Sequence, residues 1–284
     1  MKIVIKFKFK EDPKVPVEVR QIIPDKFINR DIKEVLRELQ IWIGNRKSGV
    51  EELFDIEYWI EEDKEGIDII FEGDGTRRLR YVGYRMSIGK IEVRGSVGPL
   101  AGYRMRGGEL VIYGDADHYL GSLMKNGKIE VYGNAGSFVG GKLIGMMYGH
   151  GMRGGTIIIH GNAESFIGHG MKSGDIIIEG NVNDFAGYGM KGGNILIMGN
   201  AGIYPGARMS GGRIIILGKV EEILPSFYID SIVSGIKFKG RKIEGRFAIF
   251  IGDVLMESRG RLIINYEHNI HIIKPLEKLL EPIE

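Results

Sequence analysis

Two stretches of this chain have the form of a phosphate-binding loop. Gly149-His150-Gly151-Met152-Arg153-Gly154 and Gly187-Tyr188-Gly189-Met190-Lys191-Gly192 both satisfy G-x-G-x-x-G. A dinucleotide site of this form needs a strand before the glycines and a helix after them, because the helix N-terminus supplies the donors that hold the pyrophosphate. Here a strand-like aliphatic run follows each motif, so no nucleotide site is expected. His150 and His169 both stand two residues before a methionine. Stacked in adjacent coils, their rings would lie about 5 Å apart. A metal held between them would need a third ligand, and no acidic residue or cysteine shares their position, so stacked aromatic corners are the expected role. Carboxylates for acid–base work are equally sparse: Asp115 and Asp117 fall near one corner and Asp184 some three coils away. The chain has no cysteine, hence no disulfide and no thiolate ligands for an iron–sulfur cluster.

The order in the chain lies in a repeat. The pattern G-x-x-M-x-x-G-x-[IL]-x-[IV]-x-G occurs seven times between Gly83 and Gly218, with methionines at 86, 105, 124, 152, 171, 190 and 209. The period is 19 residues, with one insertion of nine between the third and fourth copies. Five and seven residues after each Met come branched aliphatics, from Ile91 and Val93 to Ile214 and Ile216. That alternation, closed by glycines, is a short strand with one face toward a core. Nineteen residues cannot hold a strand–helix unit, so each strand must pair with its equivalent in the next coil. A mainly β fold is predicted: a right-handed parallel β-helix of about seven coils, rising about 4.8 Å per coil. Leu100, Tyr119, Phe138, Phe166, Phe185 and Tyr204 repeat at one position and are expected to stack inside the coil. The Met column should fill a second interior line. Asp115, Asn134, Asn162, Asn181 and Asn200 form a corner ladder.

Two outward positions carry information. The residue after Met is Arg106, Lys125, Arg153, Lys172 or Lys191 in five consecutive coils. This stripe is either a solvated, splayed row or a surface that docks an acidic partner. The outward strand position reads Glu92, Val111, Glu130, then Ile158, Ile177, Leu196 and Ile215, with Met198 and Leu217 beyond it. Four large aliphatics are not left in water; this chain's own C-terminal segment or another subunit must cover them. The insertion, with Leu143, Met146 and Met147, is a second candidate contact.

The flanks follow from composition and pattern. The chain has 284 residues and a net charge of +2, which gives no case for nucleic acid or a membrane surface. No apolar run approaches a membrane span and no signal peptide opens the sequence, so a soluble cytoplasmic protein is expected. Residues 1–75 read as an α/β cap: an alternating strand over Met1 to Lys10, then a helix from Asp31 to Leu39 capped by Asp31 or Asn29. Residues 76–218 are the repeat domain. Residues 219–284 are a C-terminal extension with strands near Ile236, Phe247 and Leu262, closing in an amphipathic helix over 275–284.

The seven copies, preceded by Trp42-Ile43-Gly44-Asn45-Arg46 and Leu53-Phe54-Asp55, resemble the C subunit of formylmethanofuran dehydrogenase from methanogenic archaea over nearly the whole chain. The same β-helix resembles the C-terminal domain of the glutamate synthase large subunit, but the Trp-x-Gly-Asn-Arg segment and the separate N-terminal region favour the first. A free-standing β-helix enzyme acting on a polysaccharide is a remote third reading. The first resemblance implies membership in a cytoplasmic hetero-oligomer that reduces carbon dioxide and joins it to methanofuran as a formyl group. It implies that other subunits carry a tungsten or molybdenum pterin, iron–sulfur clusters and zinc. This chain would bind no cofactor, contribute no catalytic residue and serve as a scaffold.

Overall fold

The computed structural model describes residues 1–62, 64–145, 151–256 and 259–280. At the N-terminus, β1 (Lys2–Phe9) alternates as expected and buries Ile5, Phe7 and Phe9. It is followed by β2 (Val17–Glu18) and by α1 (Ile32–Glu38). The Asp31 carboxylate accepts the Glu34 N–H at 2.9 Å, satisfying one donor that the helix start leaves open. Val35 and Leu36 of α1 join the core. Then come β3 (Gln40–Ile43), β4 (Arg46–Gly49), β5 (Phe54–Glu61), β6 (Gly66–Glu72) and β7 (Leu79–Arg80). The parallel ladder begins within this region: β6 pairs in parallel with β1 on one side and with the first repeat strand on the other.

The repeat supplies β8 (Lys90–Arg94), β9 (Glu109–Ile112), β10 (Lys128–Val131), β11 (Arg153–Ile159), β12 (Ser173–Ile178), β13 (Lys191–Ile197), β14 (Ala201–Ile203), β15 (Gly211–Ile216) and β16 (Val220–Glu222). Equivalent residues face one another across coils, Ile91 with Leu110, Ile129 with Ile157 and Ile176 with Ile195. The insertion does not disturb this register, because a loop adds length without changing which aliphatic must face inward. A second parallel ladder joins Val97, Ala116, Ala135, Ala163, Val182 and Ala201. A third line of bonds runs along the next corner, where Gly121 N–H donates to Ala101 O at 2.8 Å and Gly140 N–H to Leu120 O at 2.8 Å. Between these ladders lies one packed interior in which all seven repeat methionines are fully buried.

The C-terminal segment continues the same sheet. It forms β17 (Tyr228–Phe238), β18 (Arg241–Gly252), β19 (Gly260–Asn265) and α2 (Ile270–Ile273). β19 adds in parallel to β15, and β18 and β17 follow antiparallel, giving a 13-stranded sheet with β5 and β17 at its edges. The expected tail helix is not one continuous α-helix. A 3-10 segment, Lys274–Leu279, follows α2; Leu276 and Leu280 pack on the core, Leu279 is exposed, and Ile283 lies outside the described residues.

Candidate functional site

The residues with the most suggestive chemistry do not converge. The Gly187–Gly192 motif runs straight into β13, so no helix dipole faces its loop. Gly149 and His150 lie outside the described residues. His169 packs among Phe138, Phe166 and Tyr188, and burial together with Lys142 lowers its pKa to about 4, so its ring is neutral at ordinary pH. At the other corner, His118 Nδ1 accepts the Ser137 N–H at 2.9 Å, while the Ser137 hydroxyl donates to Glu164 at 2.7 Å. The serine is thus turned away from the imidazole, and no nucleophile–base pair forms. Asp115 and Asp184 each accept a backbone N–H from the next coil, Asn134 at 2.7 Å and Ile203 at 3.0 Å. Among the described residues no group of three His, Asp or Glu could hold a metal ion.

Two of the predicted columns are placed differently by the structure. The aromatic column is not inside the coil. Tyr119, Phe138, Phe166, Phe185 and Tyr204 adopt φ between 55° and 64°, which turns each side chain outward and sends the next residue inward. Leu120, Val139, Ile167 and Ala186 therefore fill the core. The rings form a half-buried surface ladder, with centroids 5.0 Å apart for Tyr119–Phe138 and 5.1 Å for Phe138–Phe166 and Phe166–Phe185. Stacking offsets the cost of the left-handed backbone, about 1–2 kcal/mol per residue. The asparagine corner also works otherwise than amide on amide. Each Oδ1 accepts the backbone N–H of the next corner residue, so that Asn162 donates to Asn134, Asn181 to Asn162 and Asn200 to Asn181, at 2.8–2.9 Å.

The basic stripe is present. Arg106, Lys125, Arg153, Lys172 and Lys191 are all exposed, and their backbone N–H groups donate to Met86, Met105, Met124, Met152 and Met171 carbonyls at 2.7–2.9 Å. This ladder holds five cations one coil apart, and none has an ion-pair partner among the described residues. Neighbours at about 5 Å repel by about 0.8 kcal/mol in water.

The aliphatic outward face is covered by this chain itself. Leu196 and Ile215, candidates for contact with another subunit, are buried with Ile236, Phe238, Phe247 and Ile263. The hairpin of β17 and β18 is paired to β19 only near its base; its far half curls over the sheet. Irregularities at Ile229/Ser231 and Ser234/Ile236, with Gly235 and Gly245 at φ of 82° and 127°, provide the bend. Lys239 pins the tip to Asp175 at 2.8 Å and to Thr156 at 3.2 Å. Leu196 and Ile215 are thereby withdrawn from any interface, because a long antiparallel hairpin of the same chain reaches them first. Ile177 and Leu217 pack at the margin of that cluster, Ile158 is half-buried, and Met198 stays exposed. In the insertion Leu143 is half-buried and Ile144 exposed, while Met146 and Met147 lie outside the described residues.

The other half of this face is polar. Lys128 bridges Glu109 at 3.1 Å and Glu130 at 2.5 Å, and His160 lies between Glu130 (3.1 Å) and Glu179 (3.0 Å). The bond to Glu179, seconded by Glu130, raises the His160 pKa above its usual 6.5 despite partial burial. A raised folded-state value means that this contribution to stability is complete below the unfolded value and fades as pH climbs through the folded one. Thermal melts of the wild type and His160→Gln should therefore differ most below pH 6.5 and converge as the pH rises above the raised folded-state value. A constant gap across that range would remove the charged histidine from the account.

Sequence reasoning missed Tyr58, Trp59 and Ile60, which are 40%, 41% and 50% exposed on β5. The signal was present in the alternation of Phe54-Asp55-Ile56-Glu57-Tyr58, which demands one covered face; this chain covers Phe54 and Ile56 and leaves Tyr58 and Ile60 exposed. Trp42, otherwise only part of the family segment, is 41% exposed on β3.

Comparison with known proteins agrees with this architecture. Residues 56–239 match the family model described as GXGXG motif. The chain is 37% identical over 88 residues to the C subunit of the tungsten-containing formylmethanofuran dehydrogenase 2 of Methanothermobacter wolfeii, a stretch covering 31% of this chain and 32% of that protein. It is 38% identical over 89 residues to the C subunit of the molybdenum-containing formylmethanofuran dehydrogenase 1 of Methanothermobacter thermautotrophicus, covering 31% and 21%. The chain thus spans about a third or less of the length of these curated relatives. A chain from the crystal structure of the formyltransferase/hydrolase complex of Methylorubrum extorquens with methylofuran is similar at TM-score 0.77 and 26% identity, over 92% of this chain and 99% of that chain.

Proposed function

The chain belongs to the GXGXG motif family, and from that premise we propose that it is a non-catalytic structural subunit of a formylmethanofuran dehydrogenase complex. That assembly reduces carbon dioxide and attaches it to methanofuran as a formyl group, with the pterin-bound tungsten or molybdenum, the iron–sulfur clusters and the zinc carried by companion chains. One observation carries the reading: over 88 residues the chain is 37% identical to the C subunit of a tungsten-containing formylmethanofuran dehydrogenase. The fully buried Met and Ile columns are consistent with it, since a packed interior leaves no room for a substrate. The reading includes a right-handed coil of about seven turns, the hand preferred by parallel crossovers, an N-terminal cap over residues 1–75, and a place in the cytoplasm. No helix among the described residues is long and apolar enough to cross a membrane.

Near-complete coverage by the Methylorubrum chain favours a second reading, a subunit of a formyltransferase/hydrolase assembly without the redox step. Purification of the native complex through a tag on this chain separates the two. Companions containing tungsten or molybdenum and iron support the dehydrogenase; companions that move formyl groups but hold no redox metal support the second. Flavin-containing companions, or turnover by this chain alone, would end both.

In this proposal the basic stripe faces an acidic surface of a companion. Replacing Lys125, Arg153 and Lys172 together by serine should leave the melting temperature of the chain unchanged or slightly higher, because exposed like charges contribute under about 1 kcal/mol each. The same variant should lose its companions at lower salt. Retention at wild-type ionic strength would mark the stripe as a solvated row.

A further inference from the structure

The outer edge of β5 is open among the described residues. All eight residues of β5 pair antiparallel with β1, from Phe54 opposite Phe9 to Glu61 opposite Lys2, without a bulge. Its other edge is the end of the 13-stranded sheet and has no strand beside it among the described residues. Exposed edges are ordinarily blunted by charged residues, proline, a bulge or shortness; β5 has no lysine, proline or bulge and is guarded by three acids, Asp55, Glu57 and Glu61. Along its core-facing side burial falls away, from Phe54 at 1% exposed to Tyr58 at 40% and Ile60 at 50%. The core layer stops before this strand does. The opposite side carries Asp55, Glu57, Trp59 and Glu61.

From this geometry we propose that β5 receives an added β-strand from a companion chain of the complex, an extended segment with apolar residues on one face and lysine or arginine on the other. The apolar face extends the core layer over Tyr58 and Ile60. The basic face meets Asp55, which has no ion-pair partner among the described residues, Glu57, paired with Lys6 at 3.3 Å, and Glu61, paired with Lys64 at 3.0 Å and also influenced by Lys2. A second copy of this chain is a poor occupant. Antiparallel pairing of β5 with itself would gather Asp55, Glu57 and Glu61 of both copies on one surface, and like charges across a strand pair are destabilising. The acids keep the free edge from self-pairing while selecting a basic strand, which is how an edge is made specific. The inference rests on the proposed complex.

Residue-resolved amide hydrogen exchange over 54–62, on the purified full chain and on the native complex, tests it. Main-chain pairing slows alternate β5 amides in the complex by about tenfold or more, an alternation that side-chain contact does not impose. Equal rates in the two states overturn the proposal and leave the complex standing; a tagged chain recovered from native extract without companions overturns both. In parallel, Tyr58→Lys with Ile60→Lys alters only exposed side chains, so the melting of the chain should hold. Its affinity for the companions should fall roughly thirty-fold, the scale of an interface aromatic anchor. Unchanged affinity counts against strand addition.

Discussion

Gly174→Val is expected to destroy the native stack, at a cost above about 4 kcal/mol, the range reserved for severe backbone or core damage. Gly174 has φ of 99°, where a β-branched residue is strained, and a Cβ there would stand 2.9 Å from Gly155 O and 2.8 Å from Met152 Cε. The coil cannot widen to admit it, because Ile157, Ile176 and Ile195 are laddered directly above and below. Equivalent contacts recur at Gly155 and Gly193, 2.6 and 2.8 Å from the carbonyl oxygens of Gly127 and Gly174. Gly189 makes the control: its φ is 62°, but nothing lies within 4 Å of its Cβ position, so Gly189→Ala should cost only about 1–2 kcal/mol of backbone strain. Denaturant unfolding of the two variants distinguishes these cases. Comparable losses would mean that contact between coils is not what excludes side chains at position 174.

Ile215→Asp should release the β17–β18 hairpin. Ile215 is fully buried beneath Phe238 and Phe247, and an unpaired carboxylate placed there costs about 3–5 kcal/mol unless the cover lifts. Lifting is the easier course, since the curled half of the hairpin is held by this cluster, by the Lys239 contacts and by Arg213 donating to Lys237 O at 2.9 Å. The expected result is rapid tryptic cleavage at Lys239, Arg241 and Lys242, with the repeat still folded. Met198→Asp, on the neighbouring exposed position, should change stability by no more than about 0.5 kcal/mol. A hairpin that resists trypsin in Ile215→Asp would show that the aliphatic face does not hold it down.

Much of this architecture is legible in the amino-acid order because a solenoid turns periodicity into geometry. Ile91, Leu110, Ile129, Ile157, Ile176, Ile195 and Ile214 recur at one position and must share one side of one sheet, so register follows from burial alone. The family resemblance rests on the same positions and on Trp42 to Arg46. The candidate surfaces are only partly legible. Arg106, Lys125, Arg153, Lys172 and Lys191 can be aligned by counting, since charge at a repeat position needs no tertiary contact to face water.

The repeat by itself determined the parallel pairing of its strands and the inward methionine and aliphatic columns, because these follow from local alternation and glycine spacing. Only the tertiary structure decided the rest. A left-handed backbone at the aromatic position of each coil put the aromatic ladder outside, which composition at that position does not reveal. Contact between segments far apart in the chain put Phe238 and Phe247 over Leu196 and Ile215, and left Tyr58 and Ile60 uncovered. A periodic pattern states that an aliphatic face must be hidden; which distant segment hides it depends on where the chain returns in space.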